Sequence, residues 1–198
     1  DSLNCIILGP DVTVEMDEFT IFIKEVLREM TAKAGQKCTA IRRTIVPEGM
    51  TQSVIDALKQ RLSTVRIGHP DGEGVHMGSL AGMDQVREVR ERVAELRQST
   101  ELVFGGSEEF EVVDSDRTKG AFYEPTLLYC AEPLSTDSVH GIEAFGPVNT
   151  VMPYADLDEA IRLAVRGGGS LVGSVVTSDD TIARKLVLGI APYHGRVL

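Results

Sequence analysis

Residues 17–47 read DEFTIFIKEVLREMTAKAGQKCTAIRRTIVP, and this stretch decides the fold class. In its first half, apolar residues recur at spacings of three and four, which is the period of a helix with one buried face. These residues are Phe19, Phe22, Ile23, Val26, Leu27 and Met30. A short buried strand is then predicted over Ile41–Pro47, so that a helix, a loop and a strand follow one another.

The rest of the chain repeats this alternation. Apolar runs that fit strands lie at Cys5–Leu8, 101–104, 110–113, 125–129, Val148–Pro153 and Leu171–Thr177. Helices are predicted over 17–32, 50–65 and 83–97, after Asp156 as N-cap, and near Asp179–Gly189 with Gly189 as C-cap. Because parallel strands need crossover helices between them, we predict a three-layer α/β/α domain with a mostly parallel sheet.

The composition bounds the class of protein. With 42% hydrophobic and 25% charged residues, the 198-residue chain fits one globular domain. A net charge of −10 argues against a nucleic-acid partner, because phosphate binding needs a basic face. No apolar run is long enough to span a membrane and no leader is visible, so we expect a cytoplasmic protein. The chain begins in the polar lead-in to the strand-like run Cys5–Leu8 and stops at Val197–Leu198, still in apolar residues, so we expect a segment of a longer polypeptide.

Three cysteines without a CxxC spacing predict neither a disulfide framework nor a zinc site, and we expect no bound metal. Sites in open α/β sheets gather at the carboxyl ends of strands and at helix termini, which directs attention to the loops at 33–40 and 141–148. Cys38 lies in the first loop, where Gly35 frees the turn and Lys33 or Lys37 could favour a thiolate. On this pattern alone, a nucleophile and a structural cysteine both remain open.

Five segments spread along nearly the whole chain match the motifs of one protein family. The segment GQKCTA at Gly35–Ala40, with Arg43 downstream, is similar to the active-site cysteine motif of the aldehyde dehydrogenase superfamily. The segment EAFGPV at Glu143–Val148 resembles its specific E-x-FGPV motif. Further matches are Val65–Gly68 with Met77–Leu80 to the GDP…GPL stretch, GAFYEPT at Gly120–Thr126 to the G-x-[FY]-x-x-PT strand, and GSLVGSVVTSD at 169–179 to the YGL…VFT-x-D strand.

The resemblance implies roles for individual residues. Cys38 is expected to attack the aldehyde carbon, with its backbone N–H helping to hold the oxyanion. Glu143 is expected to bind the ribose hydroxyls of the nicotinamide half of NADP or NAD, and Phe145 to pack near the nicotinamide ring. The dinucleotide-binding domain, the general-base Glu, the oxyanion Asn and the oligomerisation tail are expected outside residues 1–198. The segment alone is therefore expected to be inactive, and its parent to be a homo-oligomer.

Within the superfamily, DSLN at residues 1–4 departs from the common GGKSPN segment, with Asn4 as the matching residue. This departure and REMTAKAGQKCTAIRRTIVPE at 28–48 resemble the PaaZ/PaaN branch of phenylacetate degradation, in which the dehydrogenase is fused to a hydratase-type domain that opens an oxepin-CoA ring. The branch implies a CoA-linked semialdehyde as the small-molecule substrate. The dehydroadipyl-CoA semialdehyde dehydrogenases of benzoyl-CoA oxidation are a close alternative.

Two other classes of function stay open. A Cys-dependent hydrolase or acyltransferase would keep Cys38 but need a partnered histidine, and an inactive binding module would show no activated thiol. The candidate histidines are His69, His76, His140 and His194. Cys5 and Cys130 lie in the apolar runs CIIL and LLYC and are expected to be inert core thiols.

Overall fold

In the computed structural model, which describes residues 2–198, seven strands form one sheet in the order β3-β4-β5-β2-β1-β6-β7. The strands are β1 Cys5–Leu8, β2 Arg43–Pro47, β3 Glu101–Phe104, β4 Thr126–Tyr129, β5 Val148–Tyr154, β6 Ser170–Val176 and β7 His194–Val197. All neighbouring pairs are parallel except β3 and β4. The prediction of a mostly parallel sheet is confirmed.

Six α-helices accompany the strands in this part of the chain. They are α1 Asp17–Thr31, α2 Thr51–Leu62, α3 Met83–Leu96, α4 Ser138–Gly141, α5 Leu157–Val165 and α6 Asp180–Ile190. The side chains of Asp156 and Asp179 accept hydrogen bonds from backbone N–H groups in the first turns of α5 and α6. Asp156 is therefore the N-cap that its position before an apolar period predicted.

The helices lie in two layers. Buried side chains of α1 and α2, among them Phe22 and Leu58, pack on one face of the sheet. Those of α3 pack on the other face over β4 and β5, and α5 and α6 cover the same face over β1 and β2. This confirms the three-layer α/β/α architecture. No helix in residues 2–198 is long and apolar enough to cross a membrane.

Gly189 is not the C-cap of the last helix. It lies inside α6, which continues to Ile190 and is followed by Ala191. A Cβ atom at position 189 would crowd the side chain of Ile161 on α5, so the glycine permits close packing of two helices. The C-cap prediction failed because glycine is used both to end helices and to let two helices pack closely. Only the position of the neighbouring helix distinguishes these two roles.

Three further elements differ from the expected pattern. The apolar run at 110–113 forms no strand and makes only a single bridge between Val113 and Gly68. The short helix α4 and the edge strand β7 were not predicted. Both are four residues long, which is too short for either period to show.

Candidate active site

The loops that carry the predicted site residues both lead into strands. Cys38 precedes β2, and Glu143 and Phe145 precede β5. Because β1, β2, β5 and β6 run in the same direction, the residues before them meet at the amino ends of the strands. Of the two expected locations, the carboxyl ends of strands and the helix termini, the loop at 33–40 matches the second, because it follows the end of α1. Both loops lie at the amino ends of the strands and not at the carboxyl ends.

The three predicted residues line one cleft. Cys38, Glu143 and Phe145 face an open cavity of about 520 Å³, which is large enough for a small molecule. The remaining residues that line the cavity are Ser2, Gln85, Glu88, Arg92, Gly169 and Leu171. Sequence positions more than 100 residues apart therefore contribute to a single surface.

The backbone that leads into the turn of Cys38 is strained. Lys33, Ala34 and Gly35 are all left-handed, with φ of 54°, 52° and 69°, and the backbone N–H of Ala40 bonds to the carbonyl of Lys37 to close the turn. For a residue other than glycine this region costs about 1 to 2 kcal/mol. Such strain persists only where the surroundings impose it, as they commonly do at functional sites.

Within this turn, which we call the Cys38 turn (residues 35–40), the thiol is exposed to solvent. Among residues 2–198, no acceptor bonds the backbone N–H of Cys38. An exposed sulfur beside an available backbone donor can add to a carbonyl and stabilise the oxygen that becomes charged.

Asn4 anchors the Cys38 turn. Its fully buried side-chain amide donates hydrogen bonds of 2.9 Å to the carbonyl oxygens of Cys38 and Ala40. Its Oδ1 accepts from the backbone N–H of Val172 on β6 and from the hydroxyl of Ser2. Asn4 matches a position of the family segment, but no role was expected for it. A polar residue directly before the apolar run CIIL was the available signal.

The second loop, which we call the Glu143 loop (residues 142–147), holds a buried carboxylate. The Glu143 side chain is 7% exposed, accepts from the backbone N–H of Ser2 at 2.9 Å and pairs with Arg42 at 3.3 Å. Phe145 is half-buried, and its ring lies 5.3 Å from the Arg42 guanidinium carbon. Arg42 was not predicted as a site residue, although two adjacent arginines within the predicted buried strand Ile41–Pro47 were an available signal.

These residues fit the nicotinamide half of a dinucleotide. A carboxylate has about four acceptor positions, and the contacts with Ser2 and Arg42 leave part of that capacity for ribose hydroxyls. Phe145 adds an apolar ring in the same cleft. Groups of three or more metal-ligating side chains are not found in residues 2–198.

The lysines proposed to favour a thiolate differ in their surroundings. The Lys37 ammonium bonds to the Glu29 carboxylate at 2.8 Å, and both side chains are largely buried. Lys33 is exposed. Lys37 therefore already has a partner that balances its charge.

The other cysteines and histidines lie away from the cleft. Cys5 and Cys130 are fully buried, and burial raises the pKa of both thiols. His194 lies 3.6 Å from Cys5. Burial lowers the pKa of His194 and raises that of Cys5, so both groups favour their neutral state. None of the described residues that line the Cys38 cleft is a histidine.

The fold and the cleft together fit an α/β domain with a candidate nucleophilic cysteine. An exposed thiol, a buried carboxylate and an aromatic ring all face this cleft. The chain belongs to the aldehyde dehydrogenase family, whose model matches residues 12–191. The resemblance seen in the motifs is therefore confirmed.

Two relatives show which members of the family the chain is similar to. The chain is 48% identical over all its 198 residues to a 3,4-dehydroadipyl-CoA semialdehyde dehydrogenase of Aromatoleum evansii and spans 38% of that protein. It is 45% identical over 122 residues, 61% of the chain, to the protein MaoC of Klebsiella aerogenes, of which the match covers 35%. The name of the first relative is that of the dehydroadipyl-CoA semialdehyde dehydrogenases, the close alternative to the PaaZ/PaaN branch.

Solved structures agree with the fold. A betaine aldehyde dehydrogenase of Staphylococcus aureus, solved with NAD⁺, superposes on 99% of the chain with a TM-score of 0.85 and 24% identity, over 37% of that protein. An aldehyde dehydrogenase C of Pseudomonas syringae, solved as a mutant with NAD⁺ and octanal, superposes on 99% of the chain with a TM-score of 0.82 and 25% identity, over 38% of that protein.

Proposed function

We propose that residues 1–198 are the catalytic domain of an NAD(P)-dependent aldehyde dehydrogenase that oxidises a CoA-linked semialdehyde to the carboxylic acid. The observation that carries this proposal is the exposed Cys38 in a cleft shared with Glu143 and Phe145. Membership in the aldehyde dehydrogenase family and the name of the 48% identical relative support the reaction and the substrate class.

The covalent chemistry belongs to Cys38. Its thiol loses a proton to a base, and the thiolate sulfur adds to the aldehyde carbon to form a thiohemiacetal, while the carbonyl electron pair moves to oxygen. The backbone N–H of Cys38 stabilises that oxyanion. NAD⁺ or NADP⁺, held by Glu143 and Phe145, would supply the hydride acceptor, and loss of the hydride would convert the thiohemiacetal into a thioester of Cys38. Water then cleaves the Cys38 thioester, which releases the acid and restores the thiol.

We assign Glu143 and Phe145 to the nicotinamide half of the cofactor. The Glu143 carboxylate would accept hydrogen bonds from the ribose hydroxyls, and the Phe145 ring would pack beside the nicotinamide. The choice between NADP and NAD depends on contacts with the adenosine half, for which the cleft residues provide no group. We propose that the dinucleotide-binding domain and the general base lie elsewhere in a longer polypeptide, which forms a homo-oligomer.

Two degradation routes supply suitable substrates. The first is phenylacetate degradation, as the motif at 28–48 suggests, with a CoA-linked semialdehyde released by a ring-opening domain. The second is benzoyl-CoA oxidation, and the 48% identity to a 3,4-dehydroadipyl-CoA semialdehyde dehydrogenase favours it. Both assign a CoA-linked semialdehyde to the same cleft.

The test uses the full-length enzyme that contains this chain. NAD(P)H formation is followed with 3,4-dehydroadipyl-CoA semialdehyde, with the ring-opened semialdehyde of phenylacetate degradation, and with matched aldehydes that lack CoA. We expect activity with a CoA-linked substrate, none in Cys38→Ser, and nearly normal activity in the control Cys130→Ser. An active Cys38→Ser enzyme would contradict the proposal. Hydrolysis of thioesters without added NAD(P)⁺ as the main activity would instead indicate a cysteine hydrolase.

A further inference from the structure

We propose that Arg42 is a positioning residue that holds the Cys38 turn and the Glu143 loop at a fixed separation. This inference rests on the proposed function, because it concerns the placement of the thiol relative to the cofactor. Arg42 is neither in the cysteine motif quoted above nor among the residues that line the cleft. Its role follows from its contacts.

The guanidinium of Arg42 bonds to both loops. On one side, Nη2 donates to the carbonyl oxygens of Gly35 at 2.8 Å and Lys37 at 3.5 Å. On the other side, Nη1 donates to the carbonyl oxygen of Gly146 at 2.7 Å, and Nε donates to the Glu143 carboxylate. The two loops are more than 100 residues apart in sequence, and this one side chain connects them.

Arginine suits this task for a physical reason. Its planar group carries five N–H donors in fixed directions, whereas lysine has one compact ammonium and cannot reach carbonyls on opposite sides. The Arg42 side chain is 4% exposed, so each donor that lost its acceptor would remain away from water. Burial lowers the pKa of Arg42, and the Glu143 carboxylate opposes that effect.

The loops also touch directly. Gly35 has a φ of 69°, and a Cβ atom there would overlap the backbone of Gly146. The backbones of the two loops are in van der Waals contact, and Arg42 bonds to both of them. One loop therefore has little freedom to shift against the other. Phe145 lies over the same guanidinium, so the ring assigned to the nicotinamide depends on it as well.

Hydride transfer is sensitive to this separation. A misplacement of about 1 Å between reacting groups can cost on the order of 100-fold in rate. Loss of the Arg42 contacts should therefore slow hydride transfer more than it slows the reaction of the thiol itself, since Cys38 is separately held by Asn4.

The control is Arg166, an arginine that also bonds to several acceptors but lies outside both loops and outside the cleft. Its guanidinium donates to the carbonyl oxygens of Pro133 and Leu134 and pairs with Asp137. In the full-length enzyme, Arg42→Lys and Arg166→Lys each replace a planar guanidinium with a single ammonium. Cys38 is titrated with iodoacetamide to count folded sites, and the burst of NAD(P)H formation is measured per site at saturating cofactor and aldehyde.

We expect the burst rate per site to fall at least about tenfold in Arg42→Lys and to stay within about twofold in Arg166→Lys, with the Cys38 alkylation rate nearly unchanged in both. A burst in Arg42→Lys equal to that of the wild type would overturn the role of Arg42 alone. A wild-type enzyme that forms no NAD(P)H would overturn the proposed function. Arg42→Gln serves as a second variant, and failure of both Arg42 variants to fold would show a structural role and reject the positioning role.

Discussion

The Asn4 side-chain amide donates a hydrogen bond to the carbonyl oxygen of Cys38, so the residue directly before the inner strand β1 holds the turn that carries the candidate nucleophile. The same side chain bonds to Ala40 and Val172. Three elements that are distant in sequence thus depend on one buried amide.

Asn4→Ala is expected to lower the free energy of unfolding of the 198-residue chain by about 2 to 4 kcal/mol, because several buried groups lose their partners at once. It should also change the rate at which iodoacetamide modifies Cys38. Urea denaturation and mass spectrometry measure the two effects. Asn149→Ala is the control, since Asn149 is equally buried but bonds to Thr44 and Ile41. A similar change of the Cys38 rate in both variants would contradict the anchoring role of Asn4.

The three thiols should differ in reactivity. Cys38 is exposed, whereas Cys5 and Cys130 are fully buried and have raised pKa values. Under native conditions we expect iodoacetamide to modify Cys38 at least about 100-fold faster than the other two, because these react only after local unfolding. Peptide mapping by mass spectrometry over time measures the rates. In urea the three rates should become similar, and a native Cys130 as reactive as Cys38 would argue against the assignment.

Glu143→Gln should slow hydride transfer in the full-length enzyme by at least about tenfold and weaken cofactor binding. The amide has the size of the carboxylate, but it is a weaker acceptor for the ribose hydroxyls and for the Arg42 guanidinium. Pre-steady-state NAD(P)H formation and cofactor titration measure these effects. Glu88→Gln, at another carboxylate of the same cleft, is the control and should change little. An unchanged burst in Glu143→Gln would remove Glu143 from the site.

Gly35→Ala should destabilise the chain and reduce the burst of the full-length enzyme. The new methyl group would overlap the Gly146 backbone, and the left-handed conformation adds about 1 kcal/mol or more for alanine. Gly49→Ala is the control, because nothing lies within 4 Å of a Cβ atom there. Thermal melting compares the two variants. Equal melting temperatures would show that the two loops can separate without cost.

Stability should decrease in mild acid because of His140. Burial lowers the pKa of His140 to about 4, while its unfolded value is near 6.5. Arg43 donates to Nδ1 and Nε2 donates to the Pro133 carbonyl, so the native site favours the neutral ring. As the pH falls below about 6.5, the unfolded chain binds the proton first, and stability is lost until about pH 4.

The lost stability is on the order of 2 to 3 kcal/mol over that interval. Urea denaturation at several pH values should show this slope in the wild type and a smaller one in His140→Asn, whose side-chain oxygen can still accept from Arg43. The lowered pKa of His194 adds to the slope in both proteins. Identical slopes in the two proteins would show that His140 protonates alike in the folded and unfolded chains.

The predictability of the fold differed between elements for physical reasons. The helices α1, α2 and α3 were predicted within a few residues because each buries one face, which leaves a period in the sequence. Gly189 was misassigned because its neighbour Ile161 is on another helix. Strand β7 was missed because four residues at a sheet edge need only partial burial.

The site was predictable only where a motif carried it. Cys38, Glu143 and Phe145 were selected from local segments, and the fold brings them into one cleft. Asn4 and Arg42 were not selected, because their importance lies in hydrogen bonds to a strand and to loops as many as 168 residues away, which no local pattern records.

The position of β1 inside the sheet affects the order in which the site forms while the chain is being synthesised. This strand pairs with β2 on one side and with β6 on the other, and Asn4 reaches across to Val172. Contacts of such long range form late in folding, because the intervening chain must first be ordered. The Cys38 turn leaves the ribosome long before β6 exists to complete its support. A growing chain therefore carries its thiol in an unformed site until β6 has been synthesised, and reactivity toward aldehydes should arise only after that point.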